Sequence, residues 1–261
     1  MTGAALAERT RGWIEAARGL ALRLSDLALP PLCLACGTGV EAHGALCGTC
    51  WQAVEFIEAP FCPVSGLPFP YDPGEGIVSA AGLASPPPYD AARAVMRYSD
   101  ASGRLIHRFK YGDRMEAAPA FGRWMARAGA ELLRDADLVT PVPLHRRRLF
   151  TRRFNQSAEL ARQVARLSGV PAVPDLLERV RATRPQVGLS GDARRRNVAG
   201  AFRLKAAHME RARGRIVVIV DDVMTTGATA EACARALKKA GAREVRLLCL
   251  ARVVPGDGAT I

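Results

Sequence analysis

Two clusters in this 261-residue chain have residue types and spacing suited to chemistry. The first lies in VVIVDDVMTTGAT, residues 217–229. Four apolar residues, Val217 to Val220, run into the adjacent acids Asp221 and Asp222; after Val223 come Met224, Thr225, Thr226, Gly227, Ala228 and Thr229. Two neighbouring carboxylates at the end of a buried strand cannot both be buried and charged at tolerable cost. At least one must meet water, a metal or a polar ligand. The turn beyond them leads into a helix expected to begin near Thr229, and the amides of a helix start point outward as an anion site. Gly227 lacks a Cβ and permits close approach, and the threonines add hydroxyl donors. A ligand with a phosphate for the turn and vicinal hydroxyls for the acids satisfies both halves. Ribose 5-phosphate is such a ligand.

The second cluster is Cys33-x2-Cys36 and, ten residues on, Cys47-x2-Cys50. Thiolates at this spacing aim at one ion from a tight knuckle, and two knuckles complete a tetrahedron. With all four positions filled by protein, the ion is a structural zinc rather than a catalytic one. Disulfides or unligated thiols are the alternative. His43 lies between the pairs and is expected to face solvent, because four cysteines suffice. Cys62 is either a spare ligand or a buried thiol. Cys233 and Cys249 fall inside an expected helix and strand and read as core.

Two basic stretches accompany these clusters. In TPVPLHRRRLFTRRFNQS, residues 140–157, Arg146, Arg147, Arg148, Arg152 and Arg153 follow an apolar strand. That strand should end on the same sheet edge as Asp221, where arginines could neutralise pyrophosphate. Phe150 and Phe154 interleave with them, a pattern that also suits single-stranded nucleic acid; a solvated charge run is the plainer reading. Asn155 is placed to cap the next helix. In TRPQVGLSGDARRRNVAGAF, residues 183–202, Arg194, Arg195, Arg196 and Asn197 follow Gly188 and Gly191, which suggest a mobile loop.

These residues need a scaffold. From about residue 90, strand and helix patterns alternate: strands in AARAVMRYS, LVTPVPL, RIVVIVDDV and EVRLLCLARV, helices in residues 101–133 with a break near Gly112, in NQSAELARQVARLSG and in ATAEACARALKKAG. Such alternation specifies an α/β fold with a doubly wound, mainly parallel sheet, which binds ligands at the carboxyl ends of its strands. Residues 60–90 are rich in Pro and Gly and read as a linker or irregular structure. No internal repeat is apparent by inspection. The expected layout is an amphipathic helix over 1–30, with Trp13, Ile14, Leu20, Leu24 and Leu27 inward, a zinc-finger module over 31–70 and the α/β domain over 90–255.

A Walker B strand also ends in acids, but its partner loop requires a Lys followed by Ser or Thr, and none of the four lysines is. A dinucleotide fingerprint is absent too: Gly74-Glu75-Gly76 lacks the third glycine and the preceding strand. The formal net charge is +12, with 33 arginines among the 37 basic residues. Arginine holds phosphates bidentately, so a phosphate ligand or nucleic acid fits this balance, as does an arginine-rich surface. No run of about 18 apolar residues predicts a membrane span. A cytoplasmic location, with the seven cysteines reduced, is expected.

Residues 217–229 resemble the phosphoribosyl-pyrophosphate (PRPP) fingerprint of type I phosphoribosyltransferases. Together with PVPL…RRFNQ and QVGLS…RRNV…AF, in that order, they resemble the ComF-type competence family, a zinc-finger module joined to a phosphoribosyltransferase domain. The resemblance implies that Asp221 and Asp222 contact ribose hydroxyls and that Thr225 to Thr229 hold the 5′-phosphate. It also implies Mg²⁺ on the substrate, and a role in DNA uptake with a helicase-like partner. The phosphoribosyl acceptor is not implied, and no general base is assigned; His107 and His145 are candidates by type. The family's further pair near C-P-x-C-G-x-P is here Cys62-Pro63-Val64-Ser65-Gly66-Leu67-Pro68, with Ser65 in the cysteine's place.

Overall fold

A computed structural model of the chain describes Trp13 and residues 30–111, 115–145, 154–183 and 191–255. The chain divides into two compact units, Met1–Trp51 and Gln52–Ile261. The helix expected over 1–30 lies outside the described residues, apart from Trp13, which is exposed.

In the first unit, residues 31–40 double back in a tight knuckle. The Cys33 amide donates to Thr38 O at 2.7 Å and the Gly37 amide to Cys33 O at 3.0 Å. An antiparallel bridge joins Leu32 and Gly39. The chain then reaches the short helix α1, Gly48–Gln52.

The second unit begins with irregular chain that carries a second short helix, α2 (Ala80–Ala84). Its body is a four-stranded sheet ordered β1-β6-β5-β2, parallel at every pairing. The strands are β1 (Ala91–Arg97), β2 (Leu138–Pro141), β5 (Ile216–Met224) and β6 (Glu244–Arg252). Between β2 and β5 in the chain, β3 (Leu177–Arg179) and β4 (Phe202–Leu204) form a separate antiparallel pair. The helices are α3 (Asp100–Tyr111), α4 (Ala118–Ala128), α5 (Ala130–Leu133), α6 (Gln156–Ser168), α7 (Gly191–Val198), α8 (Met209–Ala212) and α9 (Ala228–Lys239).

The sequence explains this layering. Ile216 to Val220 of β5 are all buried, so both faces of the strand are covered, as parallel sheets require. Val217 and Ile219 join a core with Cys233, Ala234 and Leu237 of α9 and Phe202 and Leu204 of β4. Val218 and Val220 point the opposite way by the two-residue period and are equally buried. Pro141 cannot donate to a ladder, and it sits in β2, at the sheet edge where that omission is tolerated.

Two expectations change in detail. The stretch 191–198, expected within a mobile loop, is helix α7. Asp192 stands in its first turn and the good helix former arginine fills its interior. Strand β5 continues past the acids to Met224, because the nine-residue β6 pairs with it as far as Met224↔Arg252. Among the described residues, no helix is long and apolar enough to cross a membrane.

Candidate functional site

Strand order decides where the acids meet other groups. The register sets Pro141 of β2 beside Val220 of β5, one residue before Asp221. The Val142 amide donates to Val220 O at 2.9 Å. Asn155 returns to the same place: its amide nitrogen donates to Val142 O at 3.1 Å, while its Oδ1 accepts the Ser157 amide at 3.1 Å and caps α6. The first turn of α6 therefore stands beside the carboxyl end of β5. Ser157 Oγ donates to Asp221 Oδ1 at 3.0 Å, and the Asp222 amide donates to the same oxygen at 2.9 Å.

Asp222 is buried, and Lys110 Nζ lies 2.8 Å from its Oδ1. Lys110 comes from the last turn of α3, whose backbone is fixed by Gln156 Nε2 donating to Lys110 O at 3.2 Å. Among the described residues, the site thus brings together two carboxylates and the Lys110 cation. Burial and the neighbouring Asp222 charge raise the Asp221 carboxyl from 3.8 to about 7, against the pull of Lys110. One acid is paired with its lysine. The other waits for a hydroxyl, a cation or a proton.

Beyond Met224 the chain leaves the sheet and turns at Gly227, whose φ of +80° is a left-handed conformation that favours glycine. Gly227 is the N-cap of α9 and, being a glycine, supplies no side-chain cap. The Glu231 amide donates to Gly227 O at 2.8 Å, and a helix backbone by itself leaves the donors of its first turn to other partners. Thr226 is exposed, and Thr225 and Thr229 are half-exposed; Met224 and Ala228 are buried beneath them. The result is a helix N-terminus with hydroxyls around it, directly after the acid pair and suited to an anion. Glu231 stands in the first turn of α9 and pairs with Arg235 at 3.4 Å, which offsets its charge.

Arg146, Arg147, Arg148, Arg152 and Arg153 lie outside the described residues; their flanks, Val142 and Asn155, are the ones fixed beside Val220. Arg195 is on α7, which packs against α9, and its guanidinium holds Asp192 at 3.0 Å on an exposed face. Arg194 of the same helix is buried. His107 is exposed on α3, and His145 is half-buried.

In the first unit, the sulfur atoms of Cys33, Cys36, Cys47 and Cys50 lie within 4.8 Å of one another. Cys36 Sγ and Cys47 Sγ are 3.7 Å apart, against a tetrahedral edge of about 3.8 Å for zinc–sulfur bonds of about 2.3 Å. The Cys47 amide donates to Cys33 Sγ at 3.3 Å, a bond that favours thiolate. Contacts with Thr38 lower Cys36 to about 6, whereas burial and the adjacent thiols raise Cys50 to about 12. Four thiolates this close need a cation, and the set fits one structural zinc. Cys62 is not in the cluster: it is fully buried in the second unit, which settles the choice left open for it. Cys233 and Cys249 are fully buried, and burial and the charge of Asp221 push both thiols up, as neutral core residues require.

Comparison with known proteins gives the chain its relatives. The DNA utilization protein YhgH of Escherichia coli O157:H7 is 34% identical over 234 residues, covering 87% of this chain and all of that protein. Competence protein F of Haemophilus influenzae is 30% identical over 236 residues, covering 84% and 96%. The chain belongs to the ComF family. Residues 24–81 match the double zinc ribbon domain and residues 156–257 the phosphoribosyl transferase domain. A solved glutamine PRPP amidotransferase from B. subtilis, complexed with ADP and GMP, overlaps at a TM-score of 0.38 and 22% identity, covering 54% of this chain and 30% of that one.

For a ComF-family chain, two residues of this site escape sequence inspection. Lys110 lies outside every motif and reaches Asp222 only through the fold. Ser157 belongs to the FNQS segment, but its contact with Asp221, 64 positions away, has no local signature.

Proposed function

We propose that the chain binds PRPP or a closely related sugar phosphate. Asp221 and Asp222 take the ribose hydroxyls, and the turn from Thr225 to Thr229 takes the 5′-phosphate. The observation that carries this reading is the N-terminus of α9, entered through left-handed Gly227 directly after the acid pair. A phosphate there accepts from amides the helix cannot satisfy, and the neighbouring carboxylates accept from vicinal hydroxyls. Met224 and Ala228 support the turn from below.

If transfer occurs, a nitrogen nucleophile attacks ribose C1. The bond from C1 to the pyrophosphate oxygen breaks, pyrophosphate leaves with its electrons, and the nitrogen loses a proton to solvent or a base. Pyrophosphate carries Mg²⁺, which the protein need not cage. The arginines of 146–153 and Arg195 are the residues we assign to the departing charge. Lys110 is a positioning residue that pairs with Asp222 and keeps it aligned.

Calorimetry with Mg-PRPP on the full chain tests the binding. We expect saturable binding, lost in Gly227→Val and weakened in Asp222→Asn; no heat with the intact protein at millimolar ligand overturns the reading. Pyrophosphate release with a panel of nitrogen bases then separates enzyme from binding protein.

A second reading is single-stranded DNA binding in DNA uptake, with a helicase-like partner. The net charge of +12 and the names of the relatives, one for DNA utilization and one for competence, favour it. Its mark is an affinity that falls steeply with salt, which PRPP binding in a neutralised cradle does not share to the same degree.

A further inference from the structure

The chain contains an internal repeat that its sequence hides. In the first knuckle the Cys33 amide donates to Thr38 O, the Gly37 amide to Cys33 O and the Val40 amide to Pro31 O; Leu32 bridges Gly39. The second unit repeats each step. The Cys62 amide donates to Leu67 O at 2.8 Å, the Gly66 amide to Cys62 O at 2.7 Å and the Phe69 amide to Pro60 O at 2.9 Å; Phe61 bridges Pro68. The second halves also correspond. The Cys47 amide, just before α1, donates to Cys33 Sγ at 3.3 Å; the Ser79 amide, just before α2, donates to Cys62 Sγ at 3.4 Å. Cys50 follows Cys47 by three residues, and Gly82 follows Ser79 by three. A Cβ on Gly82 would lie 3.9 Å from Cys62 Sγ.

The four positions that correspond to the zinc ligands are therefore Cys62, Ser65, Ser79 and Gly82. The double zinc ribbon match, which ends at residue 81, extends over the first three of them, yet the donor set does not fit a zinc ion. Structural zinc takes thiolate, imidazole or carboxylate; two neutral hydroxyls and a glycine leave one ligand. Among the described residues, no further group of three or more such ligand atoms converges.

We propose that the second lobe is a metal-free knuckle, in which hydrogen bonds to a single sulfur and two arginines of the sheet do the cross-linking an ion would do. Ser65 and Ser79 donate backbone amides to Cys62 Sγ, each at 3.4 Å. Burial opposes the thiolate, but these contacts outweigh it and bring Cys62 to about 7. Arg93 of β1 donates to Pro63 O at 3.1 Å and stacks its guanidinium 4.1 Å from the Phe61 ring centroid. Arg252 of β6, which is buried, donates to Ser65 O. Both knuckle carbonyls are thus held by cations fixed in the sheet. The backbone is seated just as closely: a Cβ on Gly66 would meet Ala92 O of β1 at 2.5 Å.

The test counts metal in the purified full chain by elemental mass spectrometry. We expect one zinc per chain in the unmodified protein, one in Cys62→Ser and none in Cys36→Ser. Two zincs in the unmodified protein, falling to one in Cys62→Ser, overturn the proposal. The triple variant Ser65→Cys, Ser79→Cys, Gly82→Cys is expected to gain a second equivalent and, with cobalt, about twice the thiolate charge-transfer absorbance. Failure of the folded triple variant to gain metal overturns the assignment of the four positions. Arg252→Met separates the arginine staple from mere packing: it should lower Tm in the natural background and lower it less in the zinc-loaded triple variant, whereas equal losses in both overturn the staple.

Discussion

The four-thiol cluster and the acid pair pose one electrostatic problem with two solutions. Each gathers like charges closer than water would allow. Among the thiols, Cys36 is drawn down to about 6 while Cys50 is forced up to about 12, a split that a bound zinc removes. The acids carry Lys110 at 2.8 Å from Asp222, so half of their problem is solved internally. The remaining carboxyl, Asp221, is raised to about 7 and stands before a glycine-capped helix N-terminus. A cluster that needs an ion to fold is structural. A pair that is tolerable when empty and better when filled fits the ligand site we propose.

The largest effect tests the first half of that contrast. Cys36→Ser should remove the zinc and unfold the first unit, because structural zinc sites draw on the order of 10 kcal/mol or more from metal binding. Hydrogen exchange should show residues 30–51 losing protection while the central strands β5 and β6 keep theirs. If protection over 30–51 survives metal loss, the cluster does not fold that unit.

At the acid pair the effects should fall on binding before stability. Gly227→Val places a β-branched side chain at φ +80° and over the amides ahead of Glu231. We expect a stability loss of about 1–2 kcal/mol and a fall in Mg-PRPP affinity of about 100-fold or more. A folded variant with unchanged affinity removes the cradle from the site. Lys110→Met should act more mildly, with roughly 10-fold weaker binding and an Asp221 titration displaced further upward, since Lys110 now pulls it down. Carbon-detected NMR of the aspartate carboxyls reads that displacement, and Lys110→Arg should restore most of it.

How much of this was readable beforehand follows from the range of each interaction. The strand-turn-helix around Asp221 and the Cys33–Cys50 spacing are local, so the order of residues alone exposed them. The alternation of strands and helices specified the parallel sheet, and the β2–β5 register then brought TPVPL beside Asp221. Lys110 and Ser157 were illegible because each meets the acids across a long stretch of chain through packing that no pattern announces. The second knuckle was hidden for a different reason. Its repeat lives in backbone hydrogen bonds, while three of the four side chains that would reveal it are serine or glycine. Likewise α7 lacks a strong apolar stripe; its register rests on Asp192, Arg195 and a buried Arg194, which read as loop chemistry from sequence.

The smallest effect concerns stability at the ligand site and has a definite sign. The folded-state carboxyl of Asp221 lies above its ordinary value of 3.8, at about 7, so the folded protein holds this proton more tightly than the unfolded chain does. The stability it contributes is complete below about pH 4 and is lost as pH rises toward about 7. Asp221→Asn keeps an oxygen for Ser157 Oγ and the Asp222 amide but removes the desolvated charge. It should therefore be more stable than the natural chain at pH 8, by about 1–3 kcal/mol in urea melts, and nearly equal to it at pH 4. The same variant should bind Mg-PRPP less tightly, since a neutral amide accepts ribose hydroxyls less well than a carboxylate. Stability rising while affinity falls marks a residue kept for its ligand. A loss of stability at pH 8 would instead make Asp221 a structural partner of Ser157, and the acid pair would then resemble the thiol cluster, a group retained for folding.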